Sequence, residues 1–119
     1  MIFIKLTKYR IQVYRQPSGK EPFTEWIDAL DQQVIRRIDA RITRFEDGHF
    51  GDHKVLGDGV MEARFFFGSG YRVYFAIHEC ELILLLTGGD KSTQDADVQK
   101  AKEFFKAYLM EVKNANKKL

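Results

Sequence analysis

The chain has 119 residues, enough for one domain with a modest core and too few for two. With 45% hydrophobic and 30% charged residues it has the composition of a soluble globular protein rather than a disordered or membrane-embedded one. Its net charge of +2 is unevenly spread: residues 1–20 carry five basic groups and no acid, Lys113, Lys117 and Lys118 follow Val112, and 21–112 is left at −6, less basic than RNA-directed chains usually are.

The opening Met1-Ile2-Phe3-Ile4-Lys5-Leu6 is too short an apolar run for a signal peptide or a membrane span, so a cytoplasmic protein without membrane contact is expected. Residues 1–8 and 113–119 read as flexible ends of a single domain spanning 1–119. A strand is predicted over 9–15, with Tyr9, Ile11 and Val13 on one face, broken by Gln16-Pro17-Ser18-Gly19. A helix over 23–30 gathers Phe23, Trp26, Ile27 and Leu30 on one stripe, and a second over 32–47 gathers Val34, Ile38, Ile42 and Phe45, ending at Gly48 as its cap. The two make a helical hairpin whose apolar faces need a partner. Residues 49–59 read as a glycine-rich connector.

The next stretch, 60–75, reads as two strands joined by Gly68-Ser69-Gly70. Side chains alternate between faces along a strand. Met61, Ala63, Phe65, Phe67, Tyr71, Val73, Phe75 and Ile77 fall on one face, and Glu62, Arg64, Phe66, Arg72 and Tyr74 on the other. Pairing Phe67 with Tyr71 sets Phe66 opposite Arg72 and Arg64 opposite Tyr74, both arginines on the same side. Cys80, the lone cysteine, excludes an internal disulfide, suits a reducing compartment and reads as a small packing residue. Residues 81–87 are apolar without alternation, as in a strand covered on both faces, and are placed between the 71–77 strand and the first one. The last helix starts near Ser92 or Thr93, with Asp95 in its first turn and a stripe of Val98, Ala101, Phe105, Tyr108 or Leu109, and Val112. The order βααβββα describes an α+β fold: a two-layer sandwich with the helical hairpin on one face of a mainly antiparallel sheet.

Two arginines on one sheet face are either a solvated surface paired with Glu62 or an anion site, because Arg presents a rigid fork of donors suited to phosphate. The segments Gly57-Asp58-Gly59-Val60, Glu62, Arg64, Gly68, Gly70-Tyr71-Arg72-Val73-Tyr74-Phe75 and Gly88-Gly89-Asp90-Lys91-Ser92 occur in that order, with Gly48-His49-Phe50-Gly51-Asp52 upstream. This set resembles the killer proteins of addiction modules in the RelE/ParE toxin superfamily, in particular the phage-derived, HigB-like branch, over roughly residues 9–105.

That resemblance implies a RelE-like fold and a toxin of a type II toxin–antitoxin module. Its implied activity is ribosome-dependent mRNA cleavage without a metal or other cofactor, in which the ribose 2′-hydroxyl attacks the adjacent phosphate. The implied partners are a helix-turn-helix antitoxin, the ribosome and mRNA. A ParE-like toxin that binds DNA gyrase without cleaving anything, or a degenerate phage-derived protein without toxicity, is the alternative. One scaffold hosts both kinds of toxin, so fold alone does not choose.

Within this frame Arg64 and Arg72 are expected to stabilise the scissile phosphate, with Lys91 as a third catalytic cation. Lys54 is a phosphate-binding candidate or a solvated loop lysine, and either lysine can serve as a base if cationic neighbours lower its pKa. His53 beside Lys54 is a further RNA-binding candidate; with His49 and His78 it lacks the Cys or carboxylate spacing of a metal site. Tyr74 is either a base-stacking residue or a half-buried sheet tyrosine. Arg37 and Arg41, with Arg44, form a basic stripe on the second helix, a solvated face or a contact for ribosomal RNA. Glu62 reads as the ion-pair partner of Arg64, Tyr108 as core, and Gly88-Gly89 as a tight strand-to-helix turn rather than a phosphate cradle.

Overall fold

The computed structural model describes residues 8–117, so the opening apolar run and Lys118 lie outside the described residues. The elements are β1 (Arg10–Val13), α1 (Pro22–Asp28), α2 (Gln32–Phe45), β2 (His53–Gly57), β3 (Val60–Arg64), β4 (Arg72–His78), β5 (Leu82–Gly89), a 3-10 turn (Lys91–Thr93) and α3 (Gln94–Lys117). Residues 113–117, expected to be loose, continue α3.

The sheet has five strands in the order β1-β5-β4-β3-β2, with β1 parallel to β5 and the other pairs antiparallel. The predicted place of β5 between β4 and β1 is the observed one, and all eight of its residues are buried. The strand β2 falls in what reads as a connector in the sequence. It is the sheet's outer strand beyond β3, and only Leu56 in it is even half-buried, so it has no apolar alternation to betray it. The order is therefore βααββββα.

Pro22 opens α1 after the extended Glu21, a position where proline's missing N–H costs nothing. In α2 the predicted stripe is present, with Ile38, Ile42 and Phe45 buried. The helix ends at Phe45, and Gly48, at φ +83°, donates its N–H to the Phe45 carbonyl at 2.9 Å. Together α1 and α2 close over the face bearing Ala63, Phe65, Val73, Phe75, Ile83 and Leu85. The rings of Phe45 and Phe75 meet at 4.9 Å, and burial of each such side chain stabilises by roughly 1.5–3 kcal/mol.

The other face is not open. The predicted stripe of α3 packs on it: Ala101 and Phe105 are buried against Val60, Tyr74, Ala76, Leu84 and Leu86, with Tyr14 in the same cluster. The molecule thus has three layers rather than the expected two, α1 and α2, the sheet, and α3. What stays uncovered on the α3 side is the end of the sheet where β3 stops and β4 begins.

The β3–β4 register differs from the predicted one by two residues. Arg64 lies opposite Arg72, and Glu62 opposite Tyr74. The strands end sooner than the apolar pattern suggests, leaving a loop of residues 65–71 closed by Phe65 N–H to Tyr71 C=O at 2.9 Å. A slip of two keeps every side chain on its predicted face.

Gly88 and Gly89 are not a turn but the last two residues of β5. A Cβ on Gly88 would meet the Trp26 ring at 2.1 Å, and one on Gly89 would meet Asp97 Oδ2 at 1.8 Å. Glycine is needed there because a helix lies close on each face of the strand. Cys80, expected to be packed, is exposed: Glu79 (φ +53°) and Cys80 (φ +60°) are the centre of the tight β4–β5 turn, closed by Glu81 N–H to His78 C=O at 3.2 Å.

Candidate functional site

At the uncovered end of the α3 face lies a cleft of about 350 Å³, lined by Arg64, Phe65, Phe66, Phe67, Gly68, Gly70, Arg72 and Lys91. Three elements supply its cations: Arg64 ends β3, Arg72 starts β4, and Lys91 opens the 3-10 turn after β5. The structure therefore brings together the three residues expected to act on phosphate.

Each arginine is held differently. The Arg64 guanidinium makes a two-pronged contact with Asp52, Nε to Oδ2 at 3.0 Å and Nη2 to Oδ1 at 3.2 Å. Its side chain keeps 34% of its exposure, so this pair is open to water and to a competing anion. Arg72 is more enclosed, with 14% of its side chain exposed. It donates from Nη1 to the Gly70 carbonyl at 2.7 Å, and its Nε lies 3.8 Å from Glu62 Oε2. Glu62 thus faces Arg72, not Arg64 as expected. The cross-strand register explains this, because Asp52, just before β2, reaches Arg64 first.

Glu62 is fully buried and accepts a hydrogen bond from Gln94 Nε2 at 3.0 Å. Tyr74 is buried beside it, and desolvation, with the Glu62 charge adding to it, pushes the phenol far above its ordinary pKa. Glu62 Oε1, Arg72 Nε and the Tyr74 hydroxyl are buried side-chain atoms without a hydrogen-bond partner among the described residues. They sit together beneath the cleft, a buried polar cluster of one carboxylate, one guanidinium and one phenol. A buried Tyr74 has no face to offer a nucleobase.

Lys91 is exposed, and its backbone N–H reaches the Ser69 carbonyl at 3.4 Å, tying the turn to the tip of the β3–β4 loop. Asp90 fixes the turn from the other side. Its carboxylate accepts from Ser92 N–H at 2.8 Å and Ser92 Oγ at 2.6 Å, while Asp90 N–H donates to Thr93 Oγ1 at 3.3 Å. The Ser92 hydroxyl bond holds the Asp90 carboxyl below its usual pKa. Among the described residues no carboxylate pairs with the Lys91 ammonium.

The remaining candidates lie outside the cleft lining. Lys54 is exposed on β2 opposite Glu62. His53 pairs with Ala63 on the α1/α2 face of the sheet, its ring against Phe50 and its Nδ1 2.8 Å from the Gly51 carbonyl, facing away from the arginines. Arg41 is a structural clamp: its guanidinium donates to the carbonyls of Phe50, Asp52 and Arg64 and lies 4.3 Å over the Phe65 ring. Burial lowers its pKa, and Asp52 partly offsets this. Arg37 is exposed and lies 3.7 Å over the Phe67 ring, so both helix arginines brace the aromatic wall from behind.

Two residues of the site escape the sequence reading. Asp52 stands out only as the end of the Gly48–Asp52 motif and gains no role from it, because β2, which follows it, shows no periodicity that would place it beside Arg64. Phe66 has one, since it falls among the polar residues of its face; it is 84% exposed on the cleft.

The family model described as "Phage derived protein Gp49-like (DUF891)" matches residues 25–118. An uncharacterized protein of Haemophilus influenzae is similar to this chain, 46% identical over 81 residues that cover 67% of the chain and 82% of the relative. The family match takes in α2, all of β2–β5 and every residue of the cleft. The chain belongs to the Gp49-like family of phage-derived proteins.

Proposed function

We propose that this protein is the toxin of a type II toxin–antitoxin module, a ribosome-dependent mRNA endonuclease of the RelE/ParE superfamily related to its HigB-like branch. The observation that carries this reading is the convergence of Arg64, Arg72 and Lys91 on one open cleft. In the proposed reaction the ribose 2′-oxygen attacks the adjacent phosphorus, the bond to the 5′-oxygen breaks, and a 2′,3′-cyclic phosphate and a free 5′-hydroxyl result. The 2′-hydroxyl proton passes to solvent water while the 5′-oxygen takes one from a side chain of the cleft, which water then reprotonates, so protons balance over the cycle. Arg64 and Arg72 stabilise the charge that builds on the non-bridging oxygens, and a preorganised donor of this kind is worth roughly 3 kcal/mol in the transition state. Lys91, with three N–H donors and no ion-paired carboxylate among the described residues, is assigned the role of protonating the leaving oxygen. A helix-turn-helix antitoxin encoded beside the gene is the expected inhibitor.

One observation favours the rival, a toxin that binds DNA gyrase. The cleft lining contains no His, Asp or Glu to take the 2′-proton. Primer extension on message from cells expressing the protein separates the two: cuts within translated codons support the nuclease, whereas intact message with a DNA-damage response supports gyrase. Arg64→Ala and Arg72→Lys are expected to relieve growth arrest; full toxicity of both overturns the role of the cleft.

A further inference from the structure

Four large hydrophobic side chains stand exposed among the described residues, Val55, Phe66, Leu109 and Met110, and the most exposed is the aromatic one, Phe66 at 84%. A single exposed apolar residue is ordinarily uninformative. Here the surroundings make it informative. Phe65 before it is buried, and Phe67 after it packs on Tyr71, ring centres 5.5 Å apart, with Arg37 on its ring. The loop is closed by Phe65 N–H to Tyr71 C=O and by Gly70 N–H to Phe67 C=O at 3.1 Å. Phe66 is thus a bare ring carried on an anchored loop, held outward because both neighbours are held inward. It lines the same cleft as Arg64, Arg72 and Lys91.

A ligand suited to this pairing has an anion and a flat apolar face a short distance apart. A nucleotide has both. We propose that Phe66 is a stacking platform for one base of single-stranded RNA, next to the phosphate held by Arg64, Arg72 and Lys91. The proposal rests on the nuclease reading above and adds where the base goes. Stacking reads no hydrogen-bond edge, so the platform accepts any base and prefers purines for their larger face. The cations set the backbone's position, and the ring sets which nucleotide is splayed from its neighbours.

The test is the affinity of the full-length protein for a single-stranded oligoribonucleotide, 2′-O-methylated to prevent cleavage, followed by fluorescence anisotropy across a salt series. Phe66→Ala is expected to weaken binding about tenfold without changing the salt slope, because no phosphate contact is lost. Phe66→Trp is expected to restore it. Scanning a single abasic position along the oligonucleotide is expected to find one site whose loss matches that of Phe66→Ala and adds nothing to it. If Phe66→Ala binds like wild type while Arg64→Ala binds weakly, the platform is overturned and the cationic cleft stands. If wild type does not bind, or Arg64→Ala binds like wild type, the platform is overturned, while the nuclease reading, which depends on the ribosome, stands or falls on the primer-extension result. If Phe66→Ala keeps RNA affinity but loses a protein inhibitor, the ring is a protein contact and the proposal is overturned.

Discussion

Arg64 and Arg72 lie directly opposite each other across the β3–β4 ladder, and each is balanced by a carboxylate of its own, Asp52 for the first and Glu62 for the second. Like charges directly opposite on neighbouring strands repel. The two carboxylates approach from different places, one in front of β2 and one beneath the cleft, and so permit the pair. They also make the two arginines unequal, since the Asp52 side chain is 38% exposed and that of Glu62 is 0% exposed.

Removing each arginine should therefore have different costs. Arg64→Ala breaks a solvent-open pair and is expected to change stability by less than about 1 kcal/mol. Arg72→Ala leaves a buried carboxylate without its cation and is expected to cost about 3 kcal/mol or more. Urea unfolding midpoints of the two variants check this. Equal, small losses would mean that Glu62 does not depend on Arg72. The asymmetry also makes Arg64→Ala the cleaner functional variant.

The glycine pair at the end of β5 gives a second prediction. Gly88→Ala drives a methyl into the Trp26 ring, which α1 holds against the sheet. An expected loss of roughly 1–3 kcal/mol follows from overpacking, more if α1 cannot shift. Because Trp26 is the only tryptophan, its emission reports the same event. A variant as stable as wild type, with unchanged emission, would contradict the close packing described.

The turn between β4 and β5 should be improvable. Glu79 and Cys80 both sit at positive φ, where side chains with a Cβ are strained. Cys80→Gly is expected to stabilise by about 1 kcal/mol, measured as a rise in thermal midpoint, because the strain at positive φ is relieved at an exposed residue. No gain would argue against the positive-φ geometry.

Asp90 carries a pH prediction. Its carboxyl is depressed in the fold, so its contribution is present above the ordinary aspartate pKa of about 3.9 and is lost as pH falls through the lower folded value. Asp90→Ala is expected to cost about 1 kcal/mol at pH 7, the usual value of a capping side chain, and progressively less below pH 4. Unfolding midpoints at pH 7 and pH 3 check the sign. A cost that grows on acidification would overturn the capping account.

What the chain reveals of itself depends on the kind of signal. The shared face of residues 64 and 72 is legible because a long apolar alternation fixes which side each residue takes, whatever the register. The register is not legible: Gly68-Ser69-Gly70 marks where the chain turns but not how many flanking residues stay unpaired. The stripe Ala101–Phe105 announces an amphipathic helix but not which face of the sheet receives it, and that choice buries Tyr74 and withdraws it from any ligand. Arg41 looks like surface charge on a helix and is instead a clamp, because its carbonyl partners lie on a connector and a strand end distant in sequence.

The parallel ladder joins Arg10 to Leu82 and Val13 to Leu85, so β1 must wait for β5, about seventy residues further along, before it can pair. Such long-range pairing slows folding relative to local hairpins. It also sets a schedule. Lys91 follows β5, so the three cations first stand together only after β5 has emerged, and a nascent chain that stops short of it carries no assembled cleft.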